Sequence, residues 1–219
     1  GLFIGYPHLT ALDQGVMTLV QEHRGPTLDE IAVTFTLIGE FHNMLLFSAL
    51  LTGLLLLCRQ WRQALFAGGT LLCTALANTA TKNFFARVRP EVLTDPLTTY
   101  SMPSGHASGA FALFLTLGVL AGRGQPPRMR LTWLLLACLP ALSIALSRVY
   151  LGAHWPTDVL AGAMLAACVC AASLWLNQRQ TPLNAMPFKV WWLILPALLA
   201  LFSFFALRHL PPAMLRYAY

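Results

Sequence analysis

Six apolar stretches limit what this chain can fold into. They run over residues 41–58, 64–81, 105–122, 131–147, 156–176 and 190–210. Each approaches the roughly 20 residues that a helix needs to cross the hydrocarbon of a bilayer. Only 10% of the residues are charged, against about 25% in an ordinary soluble domain. A soluble helical protein would carry polar faces on most of its helices, and these stretches do not. The reading is an all-α integral membrane protein, a bundle of about six transmembrane helices.

Ahead of the spans, residues 1–40 are of mixed character. Residues 12–23 and 28–38 place apolar side chains at helical spacing. Thr27 follows Pro26 and precedes Asp29 and Glu30, a pattern expected of a capping residue with acids in the first turn. Two short helices lying at the membrane interface are expected here. The chain then divides into a lead-in, 1–40, and a transmembrane domain, 41–210. Pro90 and Pro96 keep the loop from Lys82 to Met102 from being continuous helix. Pro140 predicts a kink in the fourth span, and Pro156 suits the first turn of the fifth. The five cysteines fall in or beside apolar spans at spacings of neither a disulfide framework nor a zinc site. The chain opens on Gly1 without a signal-peptide pattern, and a further membrane segment upstream is an expectation.

The net charge of +6 comes from basic residues in the loops. That pattern suits lipid head groups and membrane topology, and no basic run points to nucleic acid. Counting spans puts the loops at 82–104 and 148–155 on one side with both chain ends. The turns at 59–63 and 123–130 and the loop at 177–189 fall on the other. That second side carries Arg59, Arg62, Arg123, Arg128, Arg130, Arg179 and Lys189. With Lys82, Arg89 and Arg148 set aside for chemistry, the positive-inside rule puts it in the cytoplasm.

Lys82, Arg89 and Arg148 all fall at membrane-edge loops on the first side, where a cation is costly without a partner. Asp158 is the evident acidic partner, so a positive site remains that an anion would complete. The planar fork of arginine suits phosphate. Ser104 is a good N-cap, and Gly105 and His106 then open a helix whose free N–H groups form an anion site. Gly105 leaves that backbone open to a ligand. His106 and His154 titrate nearest neutral pH. Asp158, four residues after His154, is placed to accept a proton from one ring nitrogen and orient the other. These residues alone do not say which histidine attacks. His8, His23, His42 and His209 lack such surroundings and are read as structural. With eight acidic residues in all, no carboxylate-rich magnesium site is evident, and neither metal nor cofactor is expected.

The residues Lys82-x6-Arg89-Pro90, then Pro103-Ser104-Gly105-His106, then Ser147-Arg148-x5-His154-x3-Asp158 together resemble the three-part signature of the type 2 phosphatidic acid phosphatase superfamily. That family includes membrane lipid phosphatases and vanadium haloperoxidases. The resemblance implies a metal-independent phosphatase working through a phosphohistidine. By position His154 would be the nucleophile, Asp158 its orienting partner and His106 the acid for the leaving oxygen. Lys82, Arg89, Ser104, Gly105 and Arg148 would hold the phosphate. Two spans precede the first motif where three are usual, and one extra span ends the chain.

The expected activity is hydrolysis of the terminal phosphate of a membrane lipid phosphate or diphosphate. Undecaprenyl diphosphate, phosphatidic acid and phosphatidylglycerol phosphate are the family substrates in view. The expected location is a bacterial inner membrane, with the site facing outward. Phosphotransfer from one lipid to another and a non-enzymatic lipid or anion transporter are the alternatives.

Overall fold

The computed structural model describes residues 7–92 and 99–216, with side chains for 8–92 and 99–207. These residues form eight α-helices. They are α1 (Pro7–Glu22), α2 (Pro26–Ile38), α3 (Phe41–Leu57), α4 (Trp61–Phe85), α5 (Gly105–Gly122), α6 (Pro127–Tyr150), α7 (Pro156–Asn177) and α8 (Phe188–Arg216). Helices α4 to α8 are each long and apolar enough to cross a membrane. Helices α2 and α3 meet that condition together, bent by 52°. The chain is an integral membrane protein, and its described residues supply five spans, or six if the bent pair counts as one.

Helix α5 is the enclosed centre, packed against α3, α4, α6 and α7. Its small residues allow this, because close approach of backbones drives packing where lipid competes for apolar surface. A Cβ at Gly118 would lie 2.9 Å from the Ala137 Cβ and 3.0 Å from the Trp133 carbonyl oxygen of α6. The outer faces present leucine and tryptophan, such as Leu65, Leu139, Leu160 and Trp192, to what would be hydrocarbon.

Several boundaries differ from the sequence expectation. Helix α2 starts one residue before Thr27: Gly25 is the cap, Pro26 takes the first helical position, and Thr27 caps nothing. Proline pre-set for helix displaces the cap outward. The loop expected from Lys82 begins later, since α4 continues to Phe85 and ends where Ala86 turns left-handed at φ 48°. Lys82 thus stands in the last helical turn. Helix α6 passes through Pro140 without interruption. Pro96 lies outside the described residues.

The two ends of the bundle are tied separately, as counting spans predicts. At one end Arg62 donates to the carbonyls of Asn177, Thr181 and Pro182, and Arg123 donates to Gln178. At the other, the loops after α4 and α6 meet the N-termini of α5 and α7. The lead-in helices join this second end. Gln21 donates to the Tyr150 carbonyl, and the Gly25 N–H to the Tyr150 hydroxyl.

Candidate active site

The site residues come from the ends of four spans and from two of the connections between them. Lys82 is supplied by the last turn of α4, Ser104 to His106 by the start of α5, and Arg148 by the last turn of α6. His154 sits in the tight connection between α6 and α7, and Asp158 in the first turn of α7. Arg89 belongs to the loop after α4. The expected constellation does converge.

Two backbone bonds set its frame. The Ser104 N–H donates to the Asp158 carbonyl at 2.9 Å, which joins the N-termini of α5 and α7. The His154 and Ala153 N–H groups both donate to the Arg148 carbonyl, at 3.2 and 3.0 Å. Ser104 is the N-cap of α5 as expected, its hydroxyl accepting from the Ala107 N–H at 3.4 Å. A Cβ at Gly105 would meet only the Asn78 amide oxygen, at 3.6 Å. Packing therefore tolerates a side chain there; the glycine keeps the first N–H groups of α5 approachable. Asn78 of α4 supports this turn by donating to the Ser108 hydroxyl at 2.9 Å.

His154 is 1% exposed. Its Nε2 lies 2.9 Å from Nη1 of Arg89, which also donates to the Ala153 carbonyl at 2.7 Å. A guanidinium can only donate, so Nε2 presents its lone pair and the ring proton rides on Nδ1. The nearest Asp158 oxygen, Oδ2, is 3.6 Å from Nδ1, beyond a hydrogen bond but directed at the correct nitrogen. Burial first, and then the charges of Arg89, Arg148 and Lys82, push His154 well below the ordinary histidine range. At neutral pH its ring is uncharged, and an anion among those cations would raise its proton affinity.

His106 turns a buried Nε2 that makes no hydrogen bond to the described residues. The bend between α2 and α3 packs on this ring: a Cβ at Gly39 would fall 2.9 Å from the His106 Cδ2. Arg148 is 2% exposed. Its Nη1 donates to the Thr36 hydroxyl of α2 at 3.2 Å, and that hydroxyl shares a 2.8 Å bond with Ser147.

Asp158 departs from the simple expectation of a partner for the site cations. Its Oδ1 is 2.7 Å from Nη1 of Arg87, and its Oδ2 accepts the Trp155 N–H at 2.9 Å. Arg87 also pairs with Asp13 of α1 at 2.6 Å. Lys82, Arg89 and Arg148 thus leave an excess of positive charge, as the sequence predicts, although Asp158 is matched by a different arginine. The motif spacing assigns no role to Arg87, which lies in the loop after α4, nor to Asp13, Thr36 and Thr157. Asp13 sits among the mixed polar and apolar residues of α1, where no spacing marks it.

Together these features define a class: an integral membrane helical bundle with a buried, cation-rich and histidine-bearing site at one end. The family model of the PAP2 superfamily matches residues 63–182, which hold every motif residue. The chain belongs to that superfamily. It is 39% identical over 95 residues to an undecaprenyl-diphosphatase of Sulfolobus acidocaldarius, a match covering 41% of this chain and 40% of that protein. It is 35% identical over 127 residues to a decaprenylphosphoryl-5-phosphoribose phosphatase of Mycobacterium tuberculosis, covering 55% of this chain and 65% of the other. The chain thus spans less than two thirds of these relatives. Among solved structures, a transmembrane PAP2 type phosphatidylglycerolphosphate phosphatase from Bacillus subtilis superposes with a TM-score of 0.70 at 23% identity, over 81% of this chain and 90% of that one. That likeness shows the shared fold.

Proposed function

We propose that the chain is a membrane lipid phosphate phosphatase that works through a phosphohistidine at His154. The observation that carries this reading is the lone pair of His154 Nε2, held 2.9 Å from Arg89 inside a ring of cations. A phosphoryl group entering that ring takes over the Arg89 donors and meets Lys82, Arg148 and the N–H groups at the start of α5. Spreading charge over fixed donors is the main catalytic task in phosphoryl transfer. Nε2 then bonds to phosphorus as the bond to the lipid oxygen breaks. His106 gives that oxygen a proton. Asp158 stabilises the positive ring of His154 from the Nδ1 side. Water next attacks phosphorus as His106 takes up its proton, the P–N bond breaks, and phosphate leaves.

A lipid substrate fits a site at one end of apolar helices, and two of the relatives named above are by name an undecaprenyl-diphosphatase and a decaprenylphosphoryl-5-phosphoribose phosphatase. Undecaprenyl diphosphate, phosphatidic acid and phosphatidylglycerol phosphate form the substrate class. The opposite end carries Arg59, Arg62, Arg123, Arg128, Arg130, Arg179 and Lys189; the site's end carries as many basic residues, and only with Lys82, Arg89 and Arg148 set aside for chemistry does the positive-inside rule orient the site outward from a bacterial cytoplasmic membrane.

The reading needs no metal. Asp158 and Asp13 are both engaged by Arg87, and the remaining ring is cationic and would repel a divalent ion. Purified protein in detergent with excess chelator is expected to release phosphate from at least one of these lipids, and millimolar vanadate is expected to inhibit it. Activity lost in chelator and regained only with magnesium would contradict the mechanism. Absence of release from every lipid would contradict the proposed activity itself.

A further inference from the structure

Asp13 lies on α1, far along the chain from every motif, yet it is 1% exposed at the edge of the site. Its carboxylate has three neighbours. Oδ2 pairs with Nη2 of Arg87 at 2.6 Å and accepts the Thr157 hydroxyl. Oδ1 accepts the Thr157 N–H at 3.0 Å. That N–H is one of the free donors at the N-terminus of α7, so Asp13 caps a helix other than its own.

Arg87, itself 7% exposed, divides its fork between two carboxylates. Nη2 goes to Asp13, while Nη1 goes to Asp158 Oδ1 at 2.7 Å and to the Thr157 hydroxyl at 2.7 Å. The Trp155 ring lies under the guanidinium, 5.6 Å from Cζ to centroid. An arginine with one carboxylate closes on both of its oxygens. Here Asp13 holds the second arm away. Asp158 therefore gives Arg87 a single oxygen and keeps Oδ2 for the Trp155 N–H and the Nδ1 side of His154.

We propose that Asp13 of α1 is a positioning residue: through Arg87 and Thr157 it sets the Asp158 carboxylate, and through Asp158 the ring of His154. The inference rests on the reading of His154 as the nucleophile. Without Asp13, Arg87 closes on Asp158 with both arms, and Oδ2 turns away from Nδ1. The phosphate-holding cations Lys82, Arg89 and Arg148 are left in place, so the loss falls on the chemical step.

The test compares wild type, D13N, D158N, the double variant and H154A on one lipid phosphate, with inhibition by inorganic phosphate as the measure of anion binding. D13N is expected to lower kcat by roughly tenfold or more, the scale of losing a partner that orients a reacting group. KM and the phosphate inhibition constant are expected to stay within about threefold, because ground-state binding is untouched. Added to D158N, D13N is expected to cost less than about threefold more, as two residues acting through one element do not add. Wild-type kcat in D13N, a loss carried by KM, or effects that multiply in the double variant would each overturn the assignment. Near-normal turnover in H154A would overturn the nucleophile reading instead. If D13N does not fold, Arg87→Lys, which keeps the charge but lacks the fork that spans both carboxylates, is judged by the same kcat and KM criteria.

Discussion

Replacing His154 by alanine is expected to abolish phosphate release, with kcat falling by roughly 10^4-fold or more, as for other enzymes stripped of a nucleophile. The size follows from the site. Nε2 of His154 is the lone pair that Arg89 marks within the cationic ring. In the proposed mechanism His106 cannot replace it, because it stands on α5 and serves as the acid on the leaving side. The cations remain in H154A, so lipid and inorganic phosphate should still bind, with affinity altered far less than rate. The variant should also fold: the ring meets Arg89 and Asp158 at its two nitrogens, while the connection itself is held by the backbone bonds of Ala153 and His154 to Arg148. A thermal melt in detergent checks this. Retained turnover in a folded H154A protein would remove the proposed nucleophile.

The second large effect is expected from one methyl group. Gly162 lies on α7 where it crosses the start of α5. A Cβ there would stand 2.6 Å from the Ser104 carbonyl oxygen, 3.2 Å from the Ala107 Cβ and 3.2 Å from the Ser108 nitrogen. Two of those atoms are backbone, and the Ser104 N–H is already tied to the Asp158 carbonyl. No side chain can swing aside. Gly162→Ala must push the first turn of α5 away from α7, and that turn carries Ser104, Gly105 and His106. Overpacking of this kind costs about 1–3 kcal/mol. Activity should fall further than stability, since an ångström of misplacement can cost about 100-fold in rate. A lowered melting temperature together with a fall in kcat/KM is the expected outcome. Wild-type values for both would mean the two helices are less closely seamed than described.

Much of this architecture was legible in the sequence because the bilayer imposes length and polarity on each span. The six apolar stretches correspond to α3 to α8, with ends shifted by a few residues. Boundary shifts have local causes: the left-handed turn at Ala86 ends α4, and in the lead-in Pro26 takes the first position of α2 with Gly25 as its cap. The motif residues were legible for a different reason. Buried cations and histidines in an apolar chain are too costly to be incidental. Their supports were not. Asp13, Thr36 and Asn78 are ordinary residues far along the chain from what they hold. Asp13 reaches Arg87 across 74 positions, and Thr36 reaches Arg148 across 112. No local period or spacing encodes such pairs. The lead-in helices, read from sequence as surface elements, consequently bring hydroxyl and carboxylate groups to the site.

The most direct test of the central claim is capture of the phosphoenzyme. A lipid phosphate labelled in its terminal phosphoryl group would be mixed with enzyme in chelator and quenched in alkali within the first turnover. A P–N bond survives alkali and is cleaved by acid. The expected result is up to one label per chain, acid-labile, located by peptide mapping at His154 and absent from H154A. Turnover without such a label in a first-turnover quench, or a label on another residue, would contradict the account.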